Sequence, residues 1–144
     1  MVVDEKNSSD APDMLNIVMN YLWQTITAES LKSIPNPAKG YEHHISIPEF
    51  TFLGVREQPD FGIITIWFYG DTKTIELKSL KEYLYQYRNA IVSYERCIDV
   101  MYNHLMDVYE PTRLKLKIEF RPRGGITSTM TRDSDVLWFG EPLN

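Results

Sequence analysis

The chain has few residues that build covalent or metal-bound frameworks. Its 144 residues hold one cysteine, Cys97, and three histidines. A single cysteine excludes an intrachain disulfide and a thiolate-rich metal site. His43 and His44 are neighbours, and neighbours in a strand point to opposite faces, so they cannot share a metal. No metal site is expected. Long apolar runs are absent too: nothing approaches the roughly 18 residues that a spanning helix needs. Positive charge is in deficit, with 15 basic against 20 acidic residues and a net charge of −5. That balance argues against a generic nucleic-acid or membrane surface but permits a local basic pocket. The start, Met1-Val2-Val3-Asp4-Glu5, lacks a basic stretch followed by an apolar one, so no secretion signal is expected. A cytoplasmic protein fits these absences.

What is present reads as one domain: 43% apolar and 24% charged residues suit a soluble globular core. Residues 1–12 are polar and end in Pro12, which predicts a disordered tail before a single domain over 13–144. Met14, Leu15, Ile17, Val18, Tyr21, Leu22 and Ile26 recur at helical spacing and predict a short amphipathic helix within 13–31. Tyr41 to Ile47 alternates as a strand, Pro48 is expected to break it, and 49–60 reads as a loop. Phe61 to Tyr69 is a β-prone run. Ser79 to about Arg88 reads as a helix, and Ser93 as the N-cap of a second one reaching Tyr109. Cys97 lies on the apolar stripe of that second helix, which marks it as a core thiol. Arg113 to Phe120 alternates almost strictly and predicts a half-buried strand; Ile126 to Thr131 is a final strand. The apolar Leu137-Trp138-Phe139 is expected to dock on the body or on a neighbouring subunit.

The resulting fold class is α+β: a four-stranded antiparallel sheet with two helices on one face. The other face lacks a cover, so a homo-oligomer is expected.

The stretch from Thr74 to Glu95 carries most of the chemistry. Glu76, Lys78 and Lys81 lie within six residues. Lys78 and Lys81 share one helical face, which is either a solvated face or a clamp for an anion. Glu95 opens the second helix, where the dipole favours a carboxylate. Arg121-Pro122-Arg123-Gly124-Gly125 places two guanidiniums at a glycine turn, either an anion nest or a cationic turn.

Several of these segments together resemble the tunnelling-fold family that includes GTP cyclohydrolase I and the queuosine-pathway nitrile reductase QueF. The residues that carry the resemblance are Glu76-Leu77-Lys78-Ser79-Leu80-Lys81, Glu49-Phe50-Thr51, Gln58-Pro59-Asp60-Phe61, Tyr85-Gln86-Tyr87-Arg88-Asn89, Glu95 and Pro122-Arg123-Gly124-Gly125-Ile126. They span roughly residues 41–130. The resemblance implies a fold that oligomerises into a β-barrel with sites between subunits. It implies NADPH-dependent reduction of 7-cyano-7-deazaguanine to its aminomethyl form, through a cysteine thioimide and an aspartate proton donor. The aspartate maps to Asp60. Substrate contacts map to Ile75, Glu76, Leu77, Tyr94 and Glu95, and cofactor contacts to Lys78, Lys81, Arg123 and Gly124. The partners implied are a small 7-deazaguanine or a related purine or pterin, with no direct nucleic acid and no membrane.

Two positions depart from the family pattern. Phe50-Thr51-Phe52-Leu53-Gly54-Val55 places Gly54 where the family has its nucleophilic cysteine, and the loop from there to Asp60 is one residue shorter. The family histidine before the binding glutamate is Tyr94. Glycine cannot form a thioimide. Two readings stand: a reductase working without covalent capture, or a non-catalytic purine- or pterin-binding relative that acts alone or as a partner subunit.

Overall fold

The computed structural model describes residues 23–136. The tail at 1–12, most of the helix expected within 13–31, and Leu137-Trp138-Phe139 lie outside them. The described elements are β1 (Ser33–Pro35), β2 (His43–Leu53), β3 (Pro59–Tyr69), β4 (Lys73–Ile75), α1 (Leu77–Tyr85), α2 (Tyr94–Tyr109), β5 (Arg113–Arg123) and β6 (Ile126–Asp133). The main sheet is antiparallel throughout, in the order β2-β3-β5-β6, and β1 pairs with β4 in a second, two-stranded sheet.

The alternation of β5 appears directly in its burial. Leu114, Leu116, Ile118 and Phe120 are buried, while the residues between them are partly exposed. They pack with Ile64, Ile66 and Phe68 of β3 and with the inward faces of the helices, among them Leu80, Tyr83, Cys97, Met101 and Leu105. Asp60 takes an inward-facing position at the start of β3, on the parity of Ile64, Ile66 and Phe68, and is 4% exposed.

Pro48 does not end β2. The strand continues to Leu53, with a register shift between Ile47 and Phe50. A bulge absorbs a residue that cannot donate to a ladder, and an edge strand tolerates it. The bulge also resets parity: Ile45 faces inward before it, and Phe50 and Phe52 face inward after it. Most of the expected 49–60 loop is therefore strand, and only the turn at 54–58 is not.

Residues 23–31 also differ from the helix expected there. Trp23–Thr25 forms a single 3-10 turn. The Gln86 side chain then holds the Thr27 backbone, accepting from its N–H at 2.9 Å and donating to its carbonyl at 2.9 Å. Those bonds take the place of a helical ladder. Ser93 caps α2 as expected, accepting from the Arg96 N–H at 3.1 Å.

At the far end of the sheet, Asp133 is 5% exposed and receives Arg113 at 2.9 and 3.2 Å. The Arg113 hydrogen bonds hold its carboxyl below the usual carboxylate range, against the opposing effect of burial. A lowered folded pKa gives stability that is fully present above the ordinary value of about 4 and is lost as pH falls through the folded value. The stability difference between wild type and Asp133→Asn should therefore shrink as pH falls from roughly 5 towards 2. Urea unfolding across that range tests it, and a constant difference would refute the assignment.

Candidate functional site

The β2–β3 hairpin closes tightly. The Gly54 N–H donates to the Gln58 carbonyl at 2.7 Å, the Glu57 N–H donates to the Gly54 carbonyl at 2.7 Å, and Glu57 adopts a left-handed φ of 64°. This turn brings Gln58 back over Gly54. A side chain at position 54 would start 2.1 Å from Gln58 Nε2 and 2.8 Å from Asp60 Oδ2. The space beside Gly54 is thus filled by the Gln58 carboxamide, next to a buried carboxylate.

Arg123 approaches from the end of β5. Its Nη1 lies 3.6 Å from Asp60 Oδ1 and donates to the Pro59 carbonyl at 3.4 Å. The two-residue turn that follows has Gly124 at φ 62° and Gly125 at φ 82°, the left-handed pair that a tight hairpin needs. Tyr94, the first residue of α2, stacks on Phe120 with ring centroids 3.9 Å apart and planes 6° apart, and meets Phe52 edge-on. Burial, followed by the nearby Asp60 charge, raises its hydroxyl above the ordinary tyrosine value, while Arg123 pulls the other way. Gly54, Asp60, Tyr94 and Arg123, widely separated in sequence, therefore form one corner.

The other expected site residues sit elsewhere on the fold. Glu76 caps α1, accepting from the Lys78 N–H at 3.1 Å and the Ser79 N–H at 2.9 Å. Those bonds, with the Ser79 backbone bond strongest, lower its carboxyl below the usual range. Ile75 is buried, whereas Leu77, Lys78 and Lys81 are exposed. Leu77 and Lys81 line a groove of about 420 Å³ between α1 and β2, with Glu49, Tyr85 and Arg88. The Arg88 guanidinium lies 4.6 Å over the Tyr85 ring. Glu95 is exposed and lines a hollow of about 360 Å³ with Asp99, Met130 and Arg132. Cys97 is fully buried, and burial pushes its thiol up.

Sequence reasoning quoted Gln58 within a motif but gave it no role. Its signal was indirect: it lies in the same short turn as the glycine that replaces a side chain. Phe120, which forms the wall behind Tyr94, read only as a core residue.

The sheet, its helices and this corner define an α+β tunnelling fold. The family described as QueF-like protein matches residues 59–136. The NADPH-dependent 7-cyano-7-deazaguanine reductase of Chlorobaculum parvum is 41% identical over 96 residues, covering 66% of this chain and 83% of that protein. The Aquifex aeolicus reductase of the same name is 38% identical over 102 residues, covering 70% and 79%. The crystal structure of the archaeosine synthase QueF-Like in the apo form superposes with a TM-score of 0.64 at 9% identity, covering 69% of this chain and 99% of that one. The chain belongs to the QueF-like family, related to the nitrile reductase of queuosine biosynthesis. No helix among the described residues is long and apolar enough to cross a membrane.

Proposed function

We propose that this protein binds a 7-deazaguanine base in the cytoplasm and serves queuosine-type tRNA modification as an NADPH-dependent reductase that works without covalent capture. The observation that carries this reading is the buried Asp60 carboxylate beside Gly54, where the acid remains and the nucleophile does not. The Glu95 carboxylate suits a guanine edge, which offers an amino group and a ring N–H to one acceptor pair. Tyr94 lies beside it as an aromatic surface. Ile75, Glu76 and Leu77 complete the base site when the α1 end of one subunit faces the Asp60 corner of the next. The open edges β2 and β6 are the strands that would pair between subunits to build the barrel.

The residues present fit a phosphorylated dinucleotide. Lys78 and Lys81 are exposed cations near the start of α1, and the backbone at Gly124 is open, with nothing within 4 Å of where a Cβ would stand. Arg123 supplies a guanidinium matched to phosphate geometry. Bound NADPH would supply hydride. Reduction of a nitrile to an aminomethyl group takes two hydrides at carbon and two protons at nitrogen, hence two NADPH. In this reading Asp60 delivers one proton at that nitrogen and water the other, and Arg123, 3.6 Å from Asp60 Oδ1, steadies the carboxylate between transfers.

A second reading, a non-catalytic binder of a purine or pterin, is favoured by Gln58, which fills the space a side chain at position 54 would take.

Calorimetry with 7-cyano-7-deazaguanine tests the binding shared by both readings. Glu95→Gln keeps its size but exchanges an acceptor for a donor, and is expected to weaken binding by about 2–4 kcal/mol. Unchanged affinity would reduce Glu95 to a helix-start residue. Loss of NADPH absorbance on mixing separates the two readings: turnover supports the reductase, and binding without turnover supports the binder. Light scattering that shows a stable monomer would remove the site between subunits.

A further inference from the structure

The main sheet ends in two edges, β2 and β6. The groove of about 420 Å³ between β2 and α1 has an apolar wall of Ile45, Ile47, Leu77 and Leu84. At the other edge, Ile126 opens β6 and is 73% exposed, the most exposed large apolar side chain among the described residues. Met130 and Ser128 of β6 pair with Ile118 and Phe120, which face the core. Ile126 continues that alternation, so it stands on the helix side of the sheet.

Pro48 restricts how two such edges can meet. It has no N–H to give to a neighbouring strand, and the β2 ladder is irregular between Ile47 and Phe50. Only residues 43–47 offer a regular edge. The pairs Ile47–Ile64, Ile64–Ile118 and Ile118–Met130 put Ile47 and Met130 at one level of the sheet. A second copy docked at that level would run the start of its β6 past Pro48 and the bulge. A slide that sets its Ile126 against Ile47 and its Met130 against His43 avoids both. That slide is even, so it keeps the helix sides of the two sheets together. It also matches barrel closure, in which strands tilted by roughly 36° are staggered by about one residue per strand, and each copy brings the four strands of its main sheet.

We propose that Ile126 of a second copy seats in the groove between α1 and β2, opposite Ile47, and that this contact sets the register of the seam between copies. This rests on the pairing of β2 and β6 edges in the reading above. Arg123 pairs with Ile126 across its own hairpin, so the seam carries Arg123 and Gly124 of the second copy towards the groove that Lys81 lines. The cations given above to the dinucleotide, apart in one copy, meet between two. Glu49 lines the same groove and offers a carboxylate to the incoming guanidinium.

Light scattering and oxidative cross-linking on the full chain test this. Ile126→Ala should raise the concentration at which the assembly dissociates by about tenfold or more, the worth of one buried aliphatic side chain. Ile126→Asp should leave a monomer with an unchanged far-ultraviolet circular dichroism spectrum, because the residue is exposed in the single copy. Ile47→Cys/Ile126→Cys should form a disulfide between copies, since directly opposed residues stand within disulfide reach. Ile47→Cys/Met130→Cys should not. Cys97 is fully buried and does not compete. Ile126 variants that assemble like the wild type overturn the proposal. So does an assembled chain that cross-links through position 130, or that fails to cross-link through position 126. The cross-link gives the answer even where Ile126→Asp fails to fold. An assembled wild type with the wrong cross-link overturns this proposal alone, whereas a monomeric wild type removes the site between subunits along with it.

Discussion

Gly54→Cys is expected to add a thiol without adding covalent capture of a nitrile. A Cβ at this position would stand 2.1 Å from Gln58 Nε2, 3.1 Å from Gln58 Cδ and 2.8 Å from Asp60 Oδ2. Gln58 is a flexible side chain and can be pushed aside, but Asp60 is buried in β3 and has little room to move. Overpacking of this kind costs about 1–3 kcal/mol. The shortened turn also misplaces the thiol along the chain by up to one residue's reach, about 3 Å, far beyond the tolerance of a bond-forming step. Intact-protein mass spectrometry after incubation with 7-cyano-7-deazaguanine should show no adduct on the wild type and none on Gly54→Cys. Gly54→Cys/Gln58→Ala should recover most of the lost stability in urea, because the closest collision is then gone. Cys97 offers no substitute, since it is fully buried and its thiol is held in the protonated form. A stoichiometric adduct on the single variant would show that the turn is roomier than its geometry; an adduct at Cys97 in the wild type would overturn that residue's placement in the core.

Phe52→Ala should be among the most damaging single changes to the fold. Phe52 is fully buried and meets Phe50, Tyr94 and Phe120, with ring centroids 5.5, 5.9 and 5.8 Å away. Truncating such a ring removes its burial and leaves a cavity, costing about 3–5 kcal/mol. That is a large fraction of the roughly 5–15 kcal/mol that holds a domain together. The loss also reaches the site, because Tyr94 is held between Phe120 and Phe52 in the corner that contains Asp60. Urea unfolding gives the stability change, and Phe61→Ala, at an exposed position of the neighbouring strand, serves as the comparison with an expected change within about 0.5 kcal/mol. A Phe52→Ala loss under about 1 kcal/mol would mean that the aromatic cluster repacks, and that the corner does not depend on it.

Sequence alone determined the parts of this protein that are governed by local rules. The alternation from Leu114 to Phe120 became β5 because a period of two can bury only one face of a strand. Ser93 became an N-cap because its hydroxyl can satisfy an otherwise unpaired N–H. Glu76 and Ser79 read as part of a binding signature, and the structure shows that both also have local duties: the Glu76 carboxylate caps α1, and the Ser79 hydroxyl bonds the backbone at Lys32 and Glu76. The family, too, was legible from ordered motifs. Tertiary structure alone decided the rest, because it depended on pairings between distant segments. Pro48 looked like a strand end, and only the partner strand shows it absorbed into a bulge that turns Phe50 and Phe52 inward. The pairing of Ser33–Pro35 with Lys73–Ile75 was invisible, since three residues carry no readable period. The meeting of Asp60 with Arg123, 63 positions along the chain, follows from the β3–β5 register. Above all, the sequence showed Gly54 as a missing nucleophile, and only the folded turn shows that the Gln58 carboxamide stands in its space, because side-chain position depends on the closure of the hairpin and not on spacing.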